Sequence, residues 1–132
     1  MKKNIAIIGA TSGIGRALAV EMHNRGYSVG ATGRRLERLQ ELEQQLETRI
    51  YTQFMDVVEL EDAITQLDQL KKEMGRMDIV VLNAGVSNYQ KESVGRQADL
   101  HVIDINVRGF ANLASYSFNL FEEQGHGHIV GI

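Results

Sequence analysis

The segment Gly9-Ala10-Thr11-Ser12-Gly13-Ile14-Gly15 stands between an apolar run and the start of a helical pattern. Glycine lets the main chain take positive φ and lets a bulky anion approach it closely. The helix that follows offers N–H groups without intrahelical partners and the positive end of its dipole. Strand, glycine turn and helix start are the parts of a diphosphate cradle, in the order needed. The spacing, glycines at i, i+4 and i+6, departs from the common dinucleotide fingerprint but keeps that order. A tight turn with no ligand is the alternative, although three glycines exceed what such a turn needs. Thr11 and Ser12 add hydroxyls, one of which can cap the helix.

The next unusual residues follow Thr32 and Gly33. An NAD site usually carries an acidic residue about 20 positions after the glycines, bonding the ribose 2′-hydroxyl. Here the chain reads Arg34-Arg35 instead. Guanidinium groups bond phosphate in bidentate fashion, so this pair points to a 2′-phosphate and hence to NADP(H). The bland alternative, two solvated arginines, places cations at the unfavourable end of a helix dipole. Asp56-Val57 offers a carboxylate for an exocyclic adenine amine and an apolar side chain to pack on the base. Asp56 serves equally well as a helix N-cap, and the residues alone leave both open. In Asn83-Ala84-Gly85, small residues leave room for a ribose, while the Asn side chain can tie adjacent strands. Asn106 and Gly109 are both costly inside a helix, which points to a local distortion there, although an ordinary exposed Asn accounts for Asn106 equally well. His126 and His128 are two apart, but a turn and strand start explains them better than a shared metal. His23 and His101 read as ordinary helix residues.

These residues need elements to position them, and the pattern alternates strand and helix throughout. Strands are expected at Asn4–Ile8, Tyr27–Thr32, Ile50–Met55, Asp78–Leu82 and His128–Ile132. The first helix, Ile14 to Arg25, carries Ile14, Ala17, Leu18 and Met22 on one face and ends at Gly26. Leu36, Leu39, Leu42 and Leu46 mark the second helix, and Leu60, Ala63, Ile64, Leu67, Leu70 and Met74 the third. A long helix from Ala98 to about Phe121 is expected to turn Leu100, Ile103, Val107, Phe110, Ala114 and Phe118 inward. Alternation of this kind implies an α/β fold, a doubly wound parallel sheet. Its ligands sit beyond the strand C-termini, where Gly9–Gly15, Arg34-Arg35, Asp56-Val57 and Asn83–Gly85 all fall.

Composition agrees: 132 residues, 43% hydrophobic and 23% charged, suit one α/β domain. The formal net charge of −3, with cations scattered, speaks against nucleic-acid and membrane-surface partners. The chain has no cysteine, which removes thiolate metal sites and cysteine nucleophiles. Lys2 and Lys3 precede an apolar run, Ile5 to Ile8, too short for a signal peptide, and no stretch is long enough to cross a membrane. A cytoplasmic location is the expectation.

Gly9-x-x-x-Gly13-x-Gly15, Asp56-Val57, Asn83-Ala84-Gly85 and Asn106 stand in the order and spacing of the short-chain dehydrogenase/reductase family, and the chain resembles that family along its whole length. The resemblance implies a Rossmann fold, a nicotinamide cofactor and hydride transfer between an alcohol and a carbonyl. It assigns the diphosphate to the glycine segment, adenine to Asp56, ribose and sheet support to Asn83–Gly85, and a relay water to Asn106. Arg34 matches the family position that favours NADPH, and the long helix matches the one through which family members pair into oligomers. One small departure is Ile8, where the family often has a threonine whose hydroxyl bonds the turn.

The larger departure concerns the family's serine and its Tyr-x-x-x-Lys pair, which serve as substrate orienter and general acid/base. Tyr27, Tyr51, Tyr89 and Tyr116 have Ala31, Met55, Ser93 and Leu120 four residues on, so none matches. The expected last strand, apolar yet unpaired on one side, and the uncovered helix faces agree with a missing remainder. The expectation is therefore the N-terminal portion of a longer enzyme, truncated after strand five and inactive alone. A non-catalytic dinucleotide-binding module is the alternative. Residues Val86 to Arg96 are expected to wall the substrate pocket without naming a substrate.

Overall fold

Ile5 and Ile7 point to one side of the first strand and Ala6 and Ile8 to the other, and all four are buried. A strand apolar on both faces must be covered twice, and this dictates a sheet between two helical layers. The computed structural model, which describes residues 3–85 and 95–132, has that architecture. Its elements are β1 (Asn4–Ile8), α1 (Gly13–Asn24), β2 (Ser28–Gly33), α2 (Leu36–Leu46), β3 (Ile50–Phe54), α3 (Leu60–Met74) and β4 (Ile79–Leu82). There follow α4 (Arg96–Ile103), a π-helical segment (Asp104–Gly109), α5 (Phe110–Gln124) and β5 (His128–Gly131). The five strands lie in the order β3-β2-β1-β4-β5, and every pairing is parallel. The order reverses between β1 and β4, which opens a crevice at their C-terminal ends. This is the doubly wound Rossmann-type sheet expected from the alternation of elements.

One face packs Ile5, Ile7, Val29 and Ala31 against Ala19, Leu39 and Leu42 of α1 and α2. The other packs Ala6, Ile8, Val80 and Leu82 against Leu67 and Leu70 of α3 and Leu113 of α5. Gly26, at φ +95, follows the C-cap of α1 as expected.

Two helix faces differ from the expectation, for one physical reason. In α1 the buried residues are Gly15, Ala19 and His23, with Leu18 and Met22 flanking them, whereas Ile14 is 63% exposed and Ala17 lies outside. Along α4 to α5 the buried residues are Ile105, Gly109, Leu113, Ser117, Leu120 and Phe121. The larger stripe of Leu100, Ile103, Val107, Phe110 and Phe118 is exposed. Small residues let a helix come close to the chain beneath it, so the face that carries Gly15 and Ala19 in α1, and Gly109 and Ser117 in the later run, goes in. The expected single helix is also three pieces, because the π turn at Asp104–Gly109 interrupts it at the two costly residues, Asn106 and Gly109. Leu36, at the start of α2, is exposed as well.

Candidate cofactor cleft and active-site face

Gly9 leaves β1 with φ +87, and a Cβ there would stand 2.8 Å from both the N and Cα of Ala84. The backbones at the ends of β1 and β4 therefore touch, and only glycine fits. Asn83 closes the junction by donating from Nδ2 to the Gly9 carbonyl at 2.9 Å, the strand tie expected of it. On the other side, β2 supports the turn: Ala10 N–H donates to the Thr32 carbonyl at 2.8 Å and Gly9 N–H to Thr32 Oγ1 at 3.4 Å. Ile8 is buried and apolar, and the hydroxyl it lacks is supplied from the neighbouring strand by Thr32.

Gly15 has a different task from the glycines before it. A Cβ there would lie 1.9 Å from the Gly9 carbonyl oxygen, so its bareness seats the first turn of α1 on the strand end. Ser12 is the N-cap of α1 but makes no side-chain cap bond, and the first turn holds no acidic residue. The leading amides of α1 thus keep their positive end for an anion. The Ser12 and Thr11 hydroxyls instead accept from Arg35 Nη2, at 2.8 Å and 2.9 Å.

These parts surround a cleft of about 600 Å³, within the usual range of small-molecule and cofactor sites. The structure brings into it Gly9, Thr11, Ser12, Gly13, Ile14, Arg34, Arg35, Asp56, Val57, Asn83, Ala84 and Gly85. The exposure of Ile14 follows: its side chain is a wall of the cleft and not part of the core. Gly15 lies beneath the floor, and Asn106 stands at one end, its Oδ1 3.3 Å from where a Gly85 Cβ would be. Asp56 is not the cap of α3, a position held by Glu59. Its Oδ1 accepts from Val58 N–H at 3.2 Å, which turns the chain while the carboxylate stays on the cleft wall. Arg34 lines the rim, and its guanidinium meets no carboxylate or carbonyl among the described residues.

Sequence reasoning missed Thr32, Gly33, Met55 and Ile105, which also line the cleft. Thr32 and Met55 carried a usable signal, since each ends a strand beside a residue already singled out. Ile105 carried none, because the π turn decides which way it points. The expected substrate wall at 86–96 lies outside the described residues up to position 94, as do Tyr89 and Ser93. Among the described residues, no group of three or more His, Cys, Asp or Glu gathers as a metal site, and no helix is long and apolar enough to cross a membrane.

Comparison with known proteins agrees with this geometry. The family model described as short chain dehydrogenase matches residues 3–132, and the chain belongs to that family. It is similar to the NADP-dependent 3-hydroxy acid dehydrogenase YdfG of Escherichia coli, 32% identical over 97% of this chain and 52% of that protein. Among solved structures, serine dehydrogenase from Escherichia coli superposes with a TM-score of 0.88 at 31% identity, covering 97% of this chain and 60% of that one. The closed form of serine dehydrogenase complexed with NADP+ gives 0.87 at 31% identity, over 97% and 52% of the two chains. The chain spans about half the length of the curated relatives it matches.

Proposed function

We propose that the protein is an oxidoreductase that transfers a hydride between NADP(H) and an alcohol or carbonyl substrate, and that these residues carry most of its cofactor site. The observation that supports this best is a single cleft joining the uncapped start of α1 to the guanidinium of Arg34, which has no partner among the described residues. The first suits a diphosphate and the second a 2′-phosphate. When bound, the nicotinamide supplies or accepts the hydride.

The chain's own residues bind and orient. Gly9, Thr11, Ser12, Gly13 and Ile14 line the diphosphate seat, over a floor shaped by Gly15. Arg34 forms the 2′-phosphate end, while Arg35 next to it is bonded to Thr11 and Ser12 of the loop. Asp56 accepts from the adenine amine while Val57 packs on the base, and Asn83, Ala84 and Gly85 pass the ribose. Asn106, at the Gly85 end, holds the relay water. Residues 1–132 hold no Tyr-x-x-x-Lys pair for general acid/base work, so by themselves they turn over no substrate. The two serine dehydrogenase likenesses and the NADP-dependent relative favour this reading over a non-catalytic module. A second copy of the chain covers the exposed apolar stripe of α4 and α5, making the enzyme a homo-oligomer.

Calorimetric titration of the intact protein tests the cofactor assignment. A charge-assisted hydrogen bond contributes about 1.5–3 kcal/mol, so Arg34→Asp weakens NADPH binding by roughly 10- to 100-fold and leaves NADH nearly unchanged. Equal affinities for the two dinucleotides, before and after the change, would remove Arg34 from the site.

A further inference from the structure

The two neighbouring arginines have different surroundings. Arg34 projects into the cleft without a described partner, whereas one nitrogen of Arg35 donates to both Thr11 Oγ1 and Ser12 Oγ. The geometry points to Arg35 as a positioning residue, one that holds the diphosphate loop in its binding shape and does not choose between NADPH and NADH. The inference rests on the cleft's being a dinucleotide site.

Three observations carry it. First, the Arg35 contact completes a seam between the end of β2 and the loop. Thr32 takes the Gly9 and Ala10 amides, and Gly33 lies so close to Thr11 that a Cβ would stand 2.2 Å from Thr11 Cγ2. Arg35 then takes the next two residues, whereas Arg34 makes no bond to the loop among the described residues. Second, a hydroxyl oxygen that accepts from a guanidinium keeps its own proton to donate. Arg35 therefore fixes Thr11 and Ser12 as donors, the role a diphosphate requires, and the cation polarises both O–H bonds. Third, the same contact draws the Ser12 hydroxyl away from capping α1, which leaves the leading amides of the helix for the ligand. All three effects act on the diphosphate, which NADH and NADPH share.

The test is a set of calorimetric titrations of the intact protein with NADPH and with NADH. In Arg35→Ala both affinities fall by a similar factor, about tenfold, and their ratio stays that of the wild type. Arg35→Lys, whose single ammonium keeps part of the contact, recovers part of both. In a Thr11→Val/Ser12→Ala background, adding Arg35→Ala costs little more, because the arginine acts through those hydroxyls. This cycle and a thermal unfolding midpoint for each variant separate loop positioning from a general loss of fold. A loss confined to NADPH, or a full additional loss in the hydroxyl-free background, would make Arg35 a phosphate ligand and overturn the proposal. Wild-type protein that binds neither dinucleotide would instead bring down the reading of the cleft, and the proposal with it.

Discussion

At Gly15 one missing methyl group decides how the cleft is built. Alanine is the better helix former by about 1 kcal/mol, so propensity alone would favour replacing it. The contact reverses the sign, since the new Cβ would lie 1.9 Å from a backbone oxygen that cannot swing aside. Gly15→Ala is expected to lower stability by about 1–3 kcal/mol, the usual cost of overpacking, and denaturant unfolding measures it. A variant as stable as the wild type would show that α1 can lift off the strand end without penalty. The importance of Gly9, Gly13 and Gly15 is legible in the sequence because small residues between a strand and a helix are unusual enough to need a reason. Partners are less legible. Nothing in the local sequence tells that Thr32 supplies the turn hydroxyl absent at Ile8, or that Arg35 reaches Thr11 and Ser12 across more than 20 residues. Such pairs exist only once the strands lie side by side.

At the scale of elements, the instructive case is the helical run from Arg96 to Gln124. It carries two faces, one of large apolar residues and one richer in small ones, and periodicity favours the first. The face carrying Gly109 and Ser117 goes in, and a Cβ at Gly109 would stand 2.9 Å from the Val57 carbonyl oxygen. The distortion at Asn106 and Gly109 was legible from residue cost alone, whereas the direction of the faces was not, since it depends on the sheet beneath. The stripe left outside includes Val107 and Phe118, 57% and 61% exposed, and contiguous apolar surface of this kind marks an interaction site. With a second copy of the chain as its proposed cover, Phe118→Glu is expected to shift the sedimenting species from oligomer to monomer. If the intact wild type sediments as a monomer, this face has some other partner. Tyr116, between the two faces, donates to Asp68 at 3.0 Å and ties α5 to α3. Burial, reinforced by the Asp68 carboxylate, pushes its phenol up to about 12, so it stays protonated as that bond requires.

Over the whole molecule, the two ends of the sheet are treated oppositely. The C-terminal end is left open as the cleft, and the N-terminal end is fastened by a polar cluster around the buried Asp78. Asp78 accepts from the Asn4 amide at 2.8 Å and from His126 Nε2 at 3.1 Å, with Arg76 Nε 3.3 Å away. The Asn4 side chain donates to the carbonyls of Met74 and Arg76, and that of Gln124 to Met77 and His126. These bonds join the starts of β1, β4 and β5. Burial acts to raise the Asp78 carboxyl, but the Asn4 amide, His126 and Arg76 together outweigh it and hold it below its ordinary value. A carboxyl depressed in the folded state stabilises above its unfolded value, about 3.9, and that contribution is lost as pH falls further through the folded value. Acid unfolding is therefore expected to carry an Asp78 component below about pH 4, absent in Asp78→Asn. The variant should also be less stable near neutrality by about 1–3 kcal/mol. Parallel acid-unfolding curves for the two proteins would contradict this. The sequence suggested a strand start at Asp78 and a turn at His126, but not their bond, which joins residues 48 apart.

In the proposed complex a nicotinamide dinucleotide lies along the ends of β1, β2, β3 and β4, its charged middle on the start of α1. Amide NMR of the intact protein titrated with NADPH tests this most directly. Large shifts are expected at Gly9 to Gly15, Arg34, Asp56 and Asn83 to Gly85, with the Asp78 and His126 end of the sheet unmoved. Saturating NADPH that leaves the glycine-loop amides where they were, or that moves only the far end, would contradict it.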